Sequence, residues 1–160
     1  MNEEELVSIL MKHNLHITTA ESCTAGLISS TIVNVANASS VFDMSFVTYA
    51  NEAKVKLLGV NDDTIKKYGV VSLEVAEEMV RGAALCAKAE IAISVSGIAG
   101  PTGGTKNKPI GMVCFGFYIL GNVISEVKYF GNIGRNNVRM STTKYAIDRC
   151  IALIKEKYND

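Results

Sequence analysis

The 160-residue chain contains no tryptophan and only two prolines, Pro101 and Pro109. Both prolines fall in one short segment, so the strongest breaker of helices and central strands is missing elsewhere. A surplus of either charge is missing too. Sixteen Lys and Arg balance sixteen Asp and Glu, a net charge of zero. That excludes the electrostatic excess of a general nucleic-acid binder. The longest apolar run, Ile110 to Leu120, is too short to cross a bilayer, so no membrane partner is expected. The four cysteines, Cys23, Cys86, Cys114 and Cys150, form no CxxC motif, and only His13 and His16 could join them on zinc. Two N-terminal histidines do not make a metal site, so neither a metal nor a cofactor is expected. Scattered cysteines with apolar neighbours read as buried thiols in a reducing compartment. The start, MNEEELVSIL, is acidic and lacks the basic opening of a signal peptide. A cytoplasmic, soluble protein is expected.

What is present is an ordinary globular composition, 48% apolar, in a length suited to one domain over residues 1–160. Periodicity divides the chain into elements. Helices are predicted over 2–13, 24–36, 51–58, 62–67, 72–88 and 134–157. Asn51 and Ser72 are candidate N-caps, and Gly59 is a stop. Strands are predicted over 16–19, 42–49, 91–96, 110–120 and 122–130, with Gly121-Asn122 as a hairpin signal. Early alternation of strand and helix implies parallel crossovers, and the late hairpin must be antiparallel. The expected architecture is a three-layer α/β/α sandwich with a mixed sheet of about five strands. Ligands of such sheets gather where strand ends meet helix N-termini. Three junctions qualify.

The first is Ala20-Glu21-Ser22-Cys23-Thr24-Ala25-Gly26. Its small residues allow close approach to the backbone, and the amides opening the following helix suit a phosphate or an oxyanion. Ser22 is either a nucleophile or, like Thr24, a helix cap. Cys23 is either a competing nucleophile or a buried hydrophobe, and no histidine lies in a junction to activate it. The second junction is Thr48-Tyr49-Ala50-Asn51-Glu52-Ala53-Lys54. A lysine in the first turn of a helix works against the dipole, which lowers its pKa. Neutral Lys54 could act as a base for a serine; otherwise it is a solvated lysine on an amphipathic helix. Tyr49 could orient the pair, pack on a substrate or simply sit half-buried.

The third junction runs from Ser96 to Thr105, and five of the 13 glycines fall between Gly97 and Gly111. Such a cluster permits positive φ and suits an anion-binding nest, or else forms a surface loop. It matches neither the Walker A spacing nor GxGxxG. Ser141-Thr142-Thr143-Lys144 fits S-x-x-K, but its companion motifs are missing and it lies within a predicted helix. Finally, Arg135 and Arg139 sit four apart at the start of the last helix, a spacing that suits a phosphate or a solvated face.

Together the stretches AESCTAGLISS, SSVFDMSFVTYANEAKVKLLGV, YGVVSLEVAEEMVRGA and VSGIAGPTGGTKNKPIGMV resemble the CinA C-terminal domain family, the nicotinamide-mononucleotide amidohydrolases. The resemblance implies the α/β/α fold and hydrolysis of the carboxamide of nicotinamide mononucleotide to nicotinic acid mononucleotide and ammonia. It implies a Ser/Lys pair without metal, Ser22 as nucleophile, Lys54 as base and Tyr49 beside them. It also implies a homo-oligomer with a small-molecule nucleotide as substrate. Cys23, Thr24, Ala25, Gly26, Ser96, Gly97 and Gly100 are then expected around the reacting amide. Gly103, Gly104, Thr105 and Arg139 are expected around the phosphate. Ala25 and Thr102 stand where the family usually has glycine, and Ser96 where it has threonine. Two further functions use the same pocket: a catalytically silent nucleotide-binding regulatory module, and hydrolysis of a different amide.

Overall fold

The computed structural model describes residues 2–159. Leu6, Val7, Ile9 and Leu10 bury one face of the first helix, α1 (Glu3–His13), which ends on Asn14 in the left-handed conformation. There follow β1 (Ile17–Glu21), α2 (Leu27–Val33), a 3₁₀ turn (Ala38–Ser40), β2 (Phe46–Val47), α3 (Asn51–Leu58), α4 (Asp62–Tyr68), α5 (Leu73–Ala87), β3 (Ile91–Gly97), β4 (Met112–Ile119), β5 (Asn122–Tyr129) and α6 (Arg135–Tyr158). The strands form one mixed sheet in the order β2-β1-β3-β4-β5. β1 runs parallel to both β2 and β3, and β4 and β5 complete the sheet as an antiparallel hairpin. α1, α2 and α6 cover one face, and α3, α4 and α5 the other. This is the expected three-layer sandwich.

The period of two in the strands decides which side chain meets which layer. Ile91, Ile93 and Val95 of β3 join Val113, Phe115, Phe117 and Ile119 of β4 in the core under α1, α2 and α6. Phe115 is its centre, with Tyr145 edge-on at 4.9 Å between ring centroids. On the opposite face the residues are small, and α5 lies close. Ser94 Oγ donates to the Ala76 carbonyl at 2.6 Å, and a Cβ on Gly116 would come within 2.6 Å of that same oxygen. Such packing needs glycine for its size rather than its freedom.

Several details depart from expectation. The strand predicted over 42–49 is paired only at Phe46 and Val47, plus one bridge from Phe42 to Ile17. Between them Thr18 Oγ1 caps the Met44 carbonyl, so a side chain replaces the ladder. The helix expected from residue 24 begins at Leu27, because Ala25 and Gly26 hold φ of 49° and 95°. Ala50, not Asn51, is the N-cap of α3. The hairpin turns on Leu120-Gly121, one residue earlier than Gly121-Asn122, with both φ positive as the strand twist requires. Ser72 and Gly59 cap α5 and α3 as expected. Cys23, Cys114 and Cys150 are buried, whereas Cys86 is exposed on α5. Among the described residues, no helix is long and apolar enough to cross a membrane.

Candidate active site

The site forms where the three parallel strands end side by side. The Ser22 amide donates to Val95 O, one step beyond the β1–β3 ladder, and the Thr48 amide donates to Glu21 O, one step beyond the β1–β2 ladder. Sheet hydrogen bonding therefore sets the spacing of the first two junctions. From the end of the first turn of α3, Lys54 reaches back across them. Its ammonium nitrogen lies 3.0 Å from Ser22 Oγ, 2.6 Å from the Thr48 carbonyl and 3.2 Å from the Tyr49 carbonyl. Lys54 is 0% exposed, one of the larger fully buried side chains among the described residues. Burial without a countercharge in contact pushes its pKa down from 10.5 to about 8; the more distant Cys23 and Glu52 oppose this. Roughly a fifth of the amine is thus neutral near pH 7.4, far more than for an ordinary lysine, and its nitrogen lies within hydrogen-bond reach of the serine hydroxyl.

The turn carrying Ser22 is built around a residue that sequence reasoning passed over. Glu21 is 0% exposed. Its carboxylate accepts from the amides of Gly26, Ile28 and Ser29 and from the hydroxyls of Thr19, Thr24 and Ser29, at 2.6–3.0 Å. The positive end of α2, expected to serve a ligand, is therefore filled by the protein's own carboxylate. The only clue in the sequence is an acidic residue shortly before a helix start. Thr24, fully buried, is one of these donors, and Gly26 is another; neither lines the cavity beside Ser22. Ala25 is exposed and lies outside it as well.

That cavity, about 190 Å³, is lined by Ser22, Cys23, Tyr49, Asn51, Val70, Val71, Ser96, Gly97, Ala99 and Arg135. Val70, Val71 and Ala99 make an apolar wall, suited to a flat ring. The Ser96 hydroxyl donates to the Val70 carbonyl at 2.8 Å and holds that wall in place. A Cβ on Gly97 would come within 2.6 Å of Val113, so the position has room only for glycine. Cys23 faces the cavity, but burial pushes its thiol up to about 12. It stays protonated and is a poor nucleophile. Arg135 bridges two walls, donating to the Gly100 carbonyl at 2.8 Å and the Tyr49 hydroxyl at 2.9 Å.

Residues 1–154 match the family described as the CinA C-terminal domain. This chain belongs to the CinA C-terminal domain family. A CinA-like protein of Kosmotoga olearia is 48% identical over 146 residues, covering 91% of this chain and 35% of that protein. The chain thus spans about a third of the length of the curated relatives it matches. The solved competence/damage inducible protein CihA of Agrobacterium tumefaciens is 39% identical, with a TM-score of 0.89 over 96% of each chain. A CinA superfamily protein of Escherichia coli is 32% identical, with a TM-score of 0.91 over 94% of this chain and 87% of that one.

Within the CinA fold the remaining predicted residues divide. Gly100 adjoins the cavity through the carbonyl that Arg135 holds. Gly104 and Thr105 line a separate groove with Tyr129 and Gly131, and Gly103 lines neither. The loop turns back on itself there: Thr105 N–H donates to the Lys108 carbonyl, and Lys108 N–H to the Thr105 hydroxyl. A shared phosphate site formed by these residues and Arg139 is not assembled. Arg139 is also outside the cavity lining, because its Nε and Nη2 are spent on the Cys23 and Thr24 carbonyls, each at 3.0 Å. The arginine at the cavity is Arg135. Sequence spacing could not separate the two, since residues four apart share a helix face.

Proposed function

We propose that this chain hydrolyses the carboxamide of nicotinamide mononucleotide to nicotinic acid mononucleotide and ammonia. The observation that carries the proposal is the 3.0 Å contact between the buried amine of Lys54 and the Ser22 hydroxyl. Neutral Lys54 takes the Ser22 proton as Oγ bonds to the amide carbon. The amide of Cys23 at the cavity wall and that of Thr24 next to it donate to no acceptor among the described residues and serve in this reading as donors to the developing oxyanion. Lys54 then hands its proton to the departing nitrogen, the C–N bond breaks and ammonia leaves. Water loses a proton to Lys54 and adds to the acyl carbon; Oγ departs and takes that proton back. The cavity accommodates the pyridine ring against Val70, Val71 and Ala99. Arg135 at its wall suits the phosphate, in a guanidinium geometry matched to phosphate oxygens.

The test is ammonia release from nicotinamide mononucleotide by wild type and Ser22→Ala, across pH. Wild type should release ammonia at a rate that rises with pH through about 8, as Lys54 loses its proton. Ser22→Ala should bind the nucleotide and release none. Release by both proteins would move the nucleophile elsewhere. Binding without release by either would make the chain a nucleotide-binding regulatory module.

A further inference from the structure

Arg139 is half-buried on α6 and does not line the cavity beside Ser22, yet it grips the nucleophile turn across 116 residues of sequence. Its Nε donates to the Cys23 carbonyl and its Nη2 to the Thr24 carbonyl, both at 3.0 Å. The Ala25 amide closes the same turn onto the Ser22 carbonyl at 3.1 Å. The Cys23–Thr24 peptide is therefore the middle of a tight turn, and its orientation is free unless something holds it. A trans peptide points its C=O and N–H to opposite sides. With the Cys23 carbonyl pinned to Arg139, the Thr24 N–H must point away from Arg139, and it has no acceptor of its own among the described residues. From the other side, Glu21 holds the Thr24 hydroxyl and the Gly26 amide at 2.7 and 2.9 Å.

We infer that Arg139 is a positioning residue for the acyl-transfer step, acting through the peptide groups of Cys23 and Thr24 rather than on the substrate phosphate. It has two effects. It fixes the direction of the Thr24 N–H beside Ser22. A cationic donor on the carbonyl of that peptide also polarises its N–H, because hydrogen bonds in series strengthen one another. Both effects grow in value when negative charge forms on the oxygen of a carbonyl attacked by Ser22. The inference rests on Ser22 being the nucleophile, and it is independent of which acyl group Ser22 receives.

The experiment uses p-nitrophenyl nicotinate, whose leaving group departs without a proton, and follows p-nitrophenolate release and acylation of Ser22 by mass spectrometry. Arg139→Ala should slow acylation about tenfold or more, leave KM within about twofold and recover partly when low concentrations of guanidinium ion are added. Arg139→Lys keeps the charge but replaces the fixed planar fork with a single nitrogen of shorter reach, so it should fall between wild type and Arg139→Ala. Nucleotide binding by Ser22→Ala should be unchanged when Arg139→Ala is added, whereas Arg135→Ala should weaken it. Should Arg139→Ala fail to fold, the Lys variant decides, and a wild-type acylation rate there overturns the role. A normal acylation rate in Arg139→Ala, or weakened nucleotide binding with acylation intact, also overturns it. Wild type that is acylated at Ser22 yet releases no ammonia from the nucleotide defeats the substrate assignment alone. Wild type that is not acylated at Ser22 defeats both.

Discussion

Ala25 sits at φ 49°, between Cys23-Thr24 and a glycine at φ 95°. A left-handed residue with a Cβ carries about 1–2 kcal/mol of strain. Glycine removes that strain but loses about 0.5–1 kcal/mol more through its freedom in the unfolded chain. Strain wins by a small margin, so Ala25→Gly should stabilise the protein by about 0.5–1 kcal/mol. Urea unfolding measures this, and a lower midpoint would reject it. The same residue defines what the sequence could convey at this scale. Ser22 and Lys54 were legible as candidates because strand-to-helix junctions bring such groups to one end of a sheet, and as a pair only through the family resemblance. The service of Glu21 to α2 was not, because an acidic residue at a strand end reads equally well as solvated surface. Nor could the chain distinguish Arg135 from Arg139, since a difference of one helical turn decides which guanidinium meets the cavity and which meets the backbone.

α3 is short, yet it delivers Lys54, and its C-terminal end is pressed against α5 at Gly82. A Cβ there would lie 1.8 Å from the Leu58 carbonyl oxygen. On a free helix surface, glycine to alanine gains about 1 kcal/mol. Here the methyl collides with backbone, which cannot rotate aside as a side chain can. Gly82→Ala should therefore cost about 2–3 kcal/mol net, read from the urea midpoint, and should displace α3 enough to slow the Ser22–Lys54 chemistry. An unchanged midpoint would mean that α3 is loosely seated. Elements with a sustained period were readable from the chain, α5 above all, where Val75, Ala76, Met79, Val80 and Ala83 are buried together. The extent of β2 was not, since hydrogen bonding to a single neighbour covers only two residues of the predicted strand and Thr18 interrupts the rest. The late start of α2 follows from the strained turn before it, which apolar spacing does not register.

For the molecule as a whole, the buried amine makes stability depend on pH. Lys54 ionises at about 8 when folded and near 10.5 when unfolded. Its burial penalty is fully present below pH 8 and is relieved as pH rises toward 10.5, because over that range the unfolded chain binds more protons. The buried thiols of Cys23 and Cys150, pushed up to about 12, act in the opposite sense once unfolded thiols ionise. Comparison with Lys54→Met cancels the thiols. The stability of wild type relative to that variant should rise by about 2 kcal/mol between pH 7 and pH 9.5. A flat difference in chemical denaturation would show that the amine is not desolvated. The layer order and the mixed sheet were legible at this scale because strand and helix alternate with clear periods. The pairing of first and last segments was not, because nothing local encodes it. That pairing has a consequence for synthesis. Ser22 and Lys54 emerge from the ribosome well before α6, since the arginine that holds the turn after Ser22 comes 116 residues after Cys23. A nascent chain halted before α6 carries the proposed nucleophile and base without the arginine that holds their turn, so the fold withholds this geometry until α6 has been made.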